Sequence, residues 1–279
     1  MMTWRLWRAF QYPPVAHPLF KRVISASYAD TVDWPPLLQN LLIQGQVWFW
    51  SLMFVIDMRL LFLMLFSGTL YGAIWAISVS RTICGERESG TYDLLCLAPH
   101  GMIGTTWAIW AGCLHRNDLF RHVNSHESWT VRVVLFLPLI ISAHLILRHL
   151  SGATGAMTVI WIIVLLVIFY LDHVQSILIG GLFGALAAHD IQQRLDPRLW
   201  ALAGFIGIQL ATYTALVLSG RLMAGMGVVG LVADVALPLV SVVIFYGLRE
   251  YIVCRLWHLL LERLNAAPTE TDSLLRQAA

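Results

Sequence analysis

The sequence predicts an all-α integral membrane protein with about six transmembrane helices and both termini in the cytoplasm. Three observations predict it. First, only 12% of the residues are charged and 58% are hydrophobic, whereas a soluble domain carries about 25% charged residues. So few charges leave a water-facing surface uncoated, and a mean hydropathy of +0.72 makes lipid the solvent for much of the chain. Second, the apolar residues fall into runs near the ~20 that a helix needs to cross a bilayer core. Third, the cations, all arginine except Lys21, fall mostly on one side of those runs.

The runs cover 35–56, 60–80, 131–149, 154–188, 199–218 and 225–247. The fourth is longer than one crossing, because about 35 residues make roughly 52 Å of helix against a core of about 30 Å. Either one helix crosses and continues into the cytoplasm, or two short spans turn at Asp172 and His173. Arginine placement decides between six and seven spans. With six, the inside receives Arg5, Arg8, Lys21, Arg22, Arg81, Arg87, Arg116, Arg121, Arg132, Arg194, Arg198, Arg249, Arg255, Arg263 and Arg276. Only Arg59, Arg148 and Arg221 fall outside, the asymmetry that the positive-inside rule expects. A seventh span would carry the last four arginines out, so six are expected.

This topology divides the chain into a cytoplasmic or interfacial arm (1–34), a transmembrane domain (35–248) and a cytoplasmic tail (249–279). The outer loops are short, so the mass outside the bilayer is the arm, a long loop at 81–130 and the tail. In the tail, Tyr251, Ile252, Leu256, Leu259 and Leu260 alternate with Glu250, Arg255 and Glu262, an amphipathic helix for the cytoplasmic surface. The polar residues after it are expected to be disordered. Trp4, Arg5, Trp7 and Arg8 interrupt any apolar run at the start, so no cleavable signal peptide is expected. Cys84, Cys96, Cys113 and Cys254 lack metal-ligand spacing and read as structural thiols.

The second run leads into a segment whose physics is readable. A helix leaves the membrane and becomes charged at Glu86, Arg87 and Glu88. Gly90 supplies the permissive backbone that ends it, and Thr91 is placed to N-cap a second, short helix. Asp93 falls in that helix's first turn, where its charge meets the positive end of the dipole. Tyr92, Leu94, Leu95 and Leu97 give it apolar faces, and Pro99 stops it. Such a stub either seats in a groove on another protein or lies as an amphipathic reversal on the membrane surface.

Here the sequence resembles a family. Residues 86–99 are similar to the loop after the second helix in permeases of the type-2 ATP-binding-cassette (ABC) exporter class. Glu86, Arg87, Glu88, Gly90, Thr91, Asp93, Leu94, Leu95 and Pro99 match that loop in type and order. Likewise His17, Pro18, Leu19, Phe20, Lys21 and Arg22 resemble the start of the family's amphipathic elbow helix. The resemblance implies a coupling helix, Tyr92 included, seated on a separate ATPase subunit, with ATP bound there and no cofactor on this chain. It also implies a homodimer, or a heterodimer with a related permease, in the bacterial cytoplasmic (inner) plasma membrane. The match fades after Pro99, where the residues around 102–114 are rich in Gly, Trp and Thr instead of forming a polar helix.

Absent motifs narrow the reading further. The single lysine has no glycine-rich lead-in, so no phosphate-cradling loop exists. Metalloprotease and nucleophile-elbow motifs are also missing, and neither an enzyme nor a nucleic-acid partner is expected. The competing reading is a non-transporting membrane anchor or assembly factor that holds a cytoplasmic partner by the same loop. Inside the spans, Asp172, His173 and Asp234 are functional candidates by default, although each reads equally as a group hydrogen-bonded to a neighbouring helix. His144 and His173 lie at different depths and do not flank a haem. Gly180, Gly181, Gly184, Ala185 and Ala188 form a small-residue face for close packing, within the bundle or between permeases.

Overall fold

The computed structural model describes residues 1–13, 18–25, 61–97, 101–116, 153–190, 196–225 and 231–266. The expected runs at 35–56 and 131–149 lie outside them, as do Pro99 and the end of the tail. The described residues form eight α-helices and no strand: α1 (Met2–Gln11), α2 (Pro18–Ser25), α3 (Leu61–Glu88), α4 (Thr91–Cys96), α5 (Gly101–Arg116), α6 (Ala153–His189), α7 (Pro197–Gly225) and α8 (Leu231–Arg263). Among the described residues, two stretches, Tyr170–His189 and Pro197–Ser219, are long and apolar enough to cross a membrane by length and composition.

Glycine decides the central contact. A Cβ on Gly180 would strike the Gly72 backbone carbonyl, and one on Gly184 would strike the carbonyl of Ala76. Small residues four apart on α3 and α6 thus let two backbones touch. Gly68 likewise leaves room for the Asp172 carboxylate. The paired numbers rise together, so α3 and α6 run parallel. The small-residue face of α6 is therefore spent inside the chain, with Gly181 against the Trp110 indole.

The 37 residues of α6 form one unbroken helix, roughly 55 Å long at about 1.5 Å per residue. The alternative of two short spans turning at Asp172 is thereby removed. The reason is chemical: Asp172 finds a cation on α8 and stays within the helix. Antiparallel to α6 runs α7, since Gly204 meets Phe183 and Tyr213 meets Asp172. It opens on Pro197 at its first position, behind Asp196, whose carboxylate accepts the Arg198 N–H at 2.9 Å. Helix α8 is parallel to α6, with Phe245 clustered against Val164 and Ile168 and Arg249 beside Asp172.

The expected division between a last span and a separate amphipathic tail helix gives way to one 33-residue helix. It ends in a Schellman turn: Asn265 takes φ 47°, Ala266 N–H donates to the Leu261 carbonyl and Asn265 N–H to that of Glu262. The 81–130 stretch, expected as a loop, also differs. Its first eight residues complete α3, as the charged exit at Glu86, Arg87 and Glu88 led one to expect; the difference is α5, which follows the stub as a helix buried on every side from Ile103 to Leu114. Phe10 stacks on Trp107 at 4.3 Å and meets Trp110 edge-on at 4.4 Å. Trp257 approaches Trp107 from α8, so an aromatic core joins α1, α5 and α8. The amphipathic α2 turns Leu19, Phe20 and Val23 inward and leaves Lys21 and Arg22 exposed.

Candidate functional site

Two polar constellations stand out: the stub at the end of α3, and an ion pair inside the bundle. The stub begins where α3 ends, at Glu88. Gly90 takes φ 69°, a left-handed backbone that a residue with a Cβ adopts only with strain. Gly90 itself occupies the N-cap position of α4. Thr91, expected there, is the first helical residue, and its hydroxyl turns back to the Glu86 carboxylate and to the Glu86 carbonyl at 3.1 Å. A residue one position into the helix points back along α3, so its side chain serves the joint rather than the cap.

One side of the stub is anchored. Tyr92 is 1% exposed, and its hydroxyl lies 2.8 Å from the Thr106 hydroxyl and 3.3 Å from His189 Nε2. Thr106 commits its own hydrogen to the Met102 carbonyl at 2.9 Å, so Tyr92 donates to Thr106. That leaves His189 Nε2 as the N–H donor, 3.3 Å from both oxygens. Burial pushes the Tyr92 hydroxyl well above its ordinary range, so it stays protonated as a donor. Arg87 donates to the Ala188 carbonyl at 2.6 Å, placing a cation at the negative end of α6. Thr105 donates to the Leu95 carbonyl at 3.2 Å. The Arg22–Glu86 pair, 3.5 Å apart, is half exposed and adds little.

The other side of the stub is bare. Leu94 is 69% and Leu97 83% exposed, with Glu88 and Asp93 exposed beside them. The stub thus has an anchored back and an apolar, acid-edged front.

The second constellation lies at mid-height on α6. Asp172 Oδ1 and Arg249 Nη1 are 2.6 Å apart, both side chains fully buried. Arg249 also donates to the Asp172 carbonyl at 3.1 Å, to Ser176 Oγ at 3.2 Å and to Gln209 Oε1. Gln209 Nε2 donates to Ser176 Oγ at 2.7 Å, and the Tyr213 hydroxyl donates to Asp172 Oδ1 at 3.0 Å. The Thr69 hydroxyl joins Tyr213 at 3.2 Å. Phe245 lies under the guanidinium, 4.8 Å from its ring centre, a buried cation–π contact. Four helices thus meet at one charge pair.

Of the three polar residues expected inside spans, Asp172 belongs to this cluster. His173 faces away from it, edge-on to Tyr71 at 5.2 Å. Asp234 lies near the start of α8, and its side chain is outside the described residues. Sequence reading missed Arg249, which it counted with the cytoplasmic tail. The available signal was periodicity: Phe245, Arg249, Val253, Leu256 and Leu260 are all buried at spacings of one helical face. An arginine on that apolar stripe points inward. Among the described residues no group of three or more His, Cys, Asp or Glu gathers to hold a metal.

Comparison of this chain with family models, with curated proteins and with solved structures finds no match.

Proposed function

We propose that this chain is a multi-pass permease subunit of an ABC exporter in a bacterial inner membrane, driven by a separate ATPase subunit that docks on α4. The observation that carries this reading is the two-sided stub: Tyr92 fastened inward, Leu94 and Leu97 projecting. It hangs directly on α3, and Arg87 at the end of α3 together with Tyr92 on the stub pins that joint to the last turn of α6. A push on the stub therefore reaches two long helices at once. The helix directions support the reading as well. In a six-span chain, α3, α6 and α8 are even-numbered crossings and must run one way, with α7 opposed. The geometry of their contacts has that sense. The apolar faces of α7 and α8, including Leu210, Leu218, Leu222 and Val243, suit lipid or a second permease.

The test is co-purification of the full chain with a soluble nucleotide-binding protein encoded in the neighbouring reading frame. Leu94→Asp with Leu97→Asp places charge on the projecting face without touching the Tyr92 anchor, and should abolish association. Gly90→Pro, which fixes φ near −65° where 69° is required, should do the same by misdirecting the stub. Association surviving both changes contradicts the docking role. Association without ATP-driven transport of any lipid, drug, peptide or polysaccharide offered would favour the anchor reading instead.

A further inference from the structure

We propose that α7 is the movable helix of this bundle, clasped to the buried Asp172–Arg249 pair by Gln209 and Tyr213. Three observations converge on it. The first is how exposed α7 is: 22% of the apolar window within Pro197–Ser219 is buried, against 83% of that within Tyr170–His189 on α6. A helix with a small share of buried residues lies toward the low-stability end of local opening. Its fully buried apolar residues, Ala201 and Phe205, lie near the start, and the buried polar Gln209 and Thr212 follow them, so the apolar end serves as the pivot.

The second observation is where its polar ties lie. Among the described residues, the side-chain hydrogen bonds from α7 to other helices start at Gln209 and Tyr213, one turn apart on one face. They reach Ser176, Arg249, Asp172 and Thr69. Beyond the pivot, these two side chains and the packing of Tyr213 and Leu216 against Val164, Ile168 and Phe245 hold the helix. The ion pair survives the release of Gln209 and Tyr213, because Arg249 keeps the Asp172 carboxylate, the Asp172 carbonyl and Ser176.

The third observation is incomplete satisfaction. Asp172 Oδ2, Arg249 Nε and both amide atoms of Gln175 are buried without a hydrogen-bond partner among the described residues. Buried polar groups are normally paired, and a partly satisfied network is poorly stabilised in a low-dielectric interior. The clasped arrangement thus leaves polar atoms unpaired by other protein groups. A second arrangement with α7 swung out lies within reach, the bistability from which switching elements are made.

Hydrogen exchange of the full chain in lipid nanodiscs, read by mass spectrometry peptide by peptide, tests this. Gln209→Leu combined with Tyr213→Phe should speed exchange in the part of α7 beyond Phe205 by about tenfold or more, from the loss of hydrogen bonds to charged partners. Exchange in α3, α6 and α8 should stay at the wild-type rate. An unchanged rate in α7 overturns the proposal, and so does an equal rise in all four helices, which would mark the cluster as general bundle glue. If the double variant does not fold, Tyr213→Phe alone removes one hydroxyl. It should still give a several-fold rise confined to α7, and no rise overturns the proposal.

Discussion

Removing one partner of the Asp172–Arg249 pair leaves a bare charge in an apolar interior. Asp172→Asn should therefore destabilise the bundle by about 3–5 kcal/mol, whereas Asp172→Leu combined with Arg249→Met should cost far less. Chemical unfolding of the detergent-solubilised chain measures both, and equal losses would mean that the pair adds no electrostatic strain when broken. His115 gives a pH prediction at the same scale. Burial holds its pKa below the ordinary value, partly offset by its hydrogen bond to the Phe10 carbonyl, 2.8 Å away. The folded state thus favours the neutral ring. Its contribution is full above the unfolded value, about 6.5, and is lost as pH falls below it. The thermal midpoint should drop on acidification, and drop less in His115→Gln; identical pH profiles would contradict the assignment. At this scale the sequence showed which groups were unusual but not whom they meet. Asp172 was conspicuous in an apolar run. Its cation, 77 positions away, was hidden because hydropathy fades two residues before Arg249 and the eye assigns everything after to the tail.

Among the elements, the α3–α6 contact makes the sharpest prediction. Gly180→Ala puts a Cβ against the Gly72 carbonyl, and backbone does not yield as a side chain would. A loss of about 1–3 kcal/mol is expected from overpacking. Gly207→Ala meets nothing within 4 Å and should be neutral or gain about 0.5–1 kcal/mol from helix propensity. Thermal stability of the two variants in one detergent compares them directly; equal effects would mean the backbones do not touch. The start of the stub was legible because Gly90 has one physical use there, a left-handed turn. The helix around 101–116 was not, since a Gly-, Trp- and Thr-rich stretch has no clean apolar face when every face is buried. The unity of α6 was undecidable from hydropathy: a polar pair in mid-run marks a turn or a helix with an inward partner, and only the partner distinguishes them.

Over the whole molecule, two layers share one set of long helices. Toward the C-terminal ends of α3, α6 and α8, short helices and tryptophans build a tightly buried core around α5. Toward the other ends, α7 and α8 turn leucine and valine outward. On the proposed reading the first layer meets the ATPase and the second meets lipid. Composition carried the apolar layer, and the Glu86–Pro99 motif carried the stub. The dense aromatic core between them depends on contacts between distant segments, which no local pattern records. The direct test is sidedness of the stub. Leu97→Cys, with labelling read at that site by mass spectrometry, should react with a membrane-impermeant thiol reagent only when the cytoplasmic face of sealed vesicles is open. Added ATPase should then protect it. Labelling from the outer face, or labelling that the ATPase leaves unchanged, would contradict a permease whose partner seats on α4.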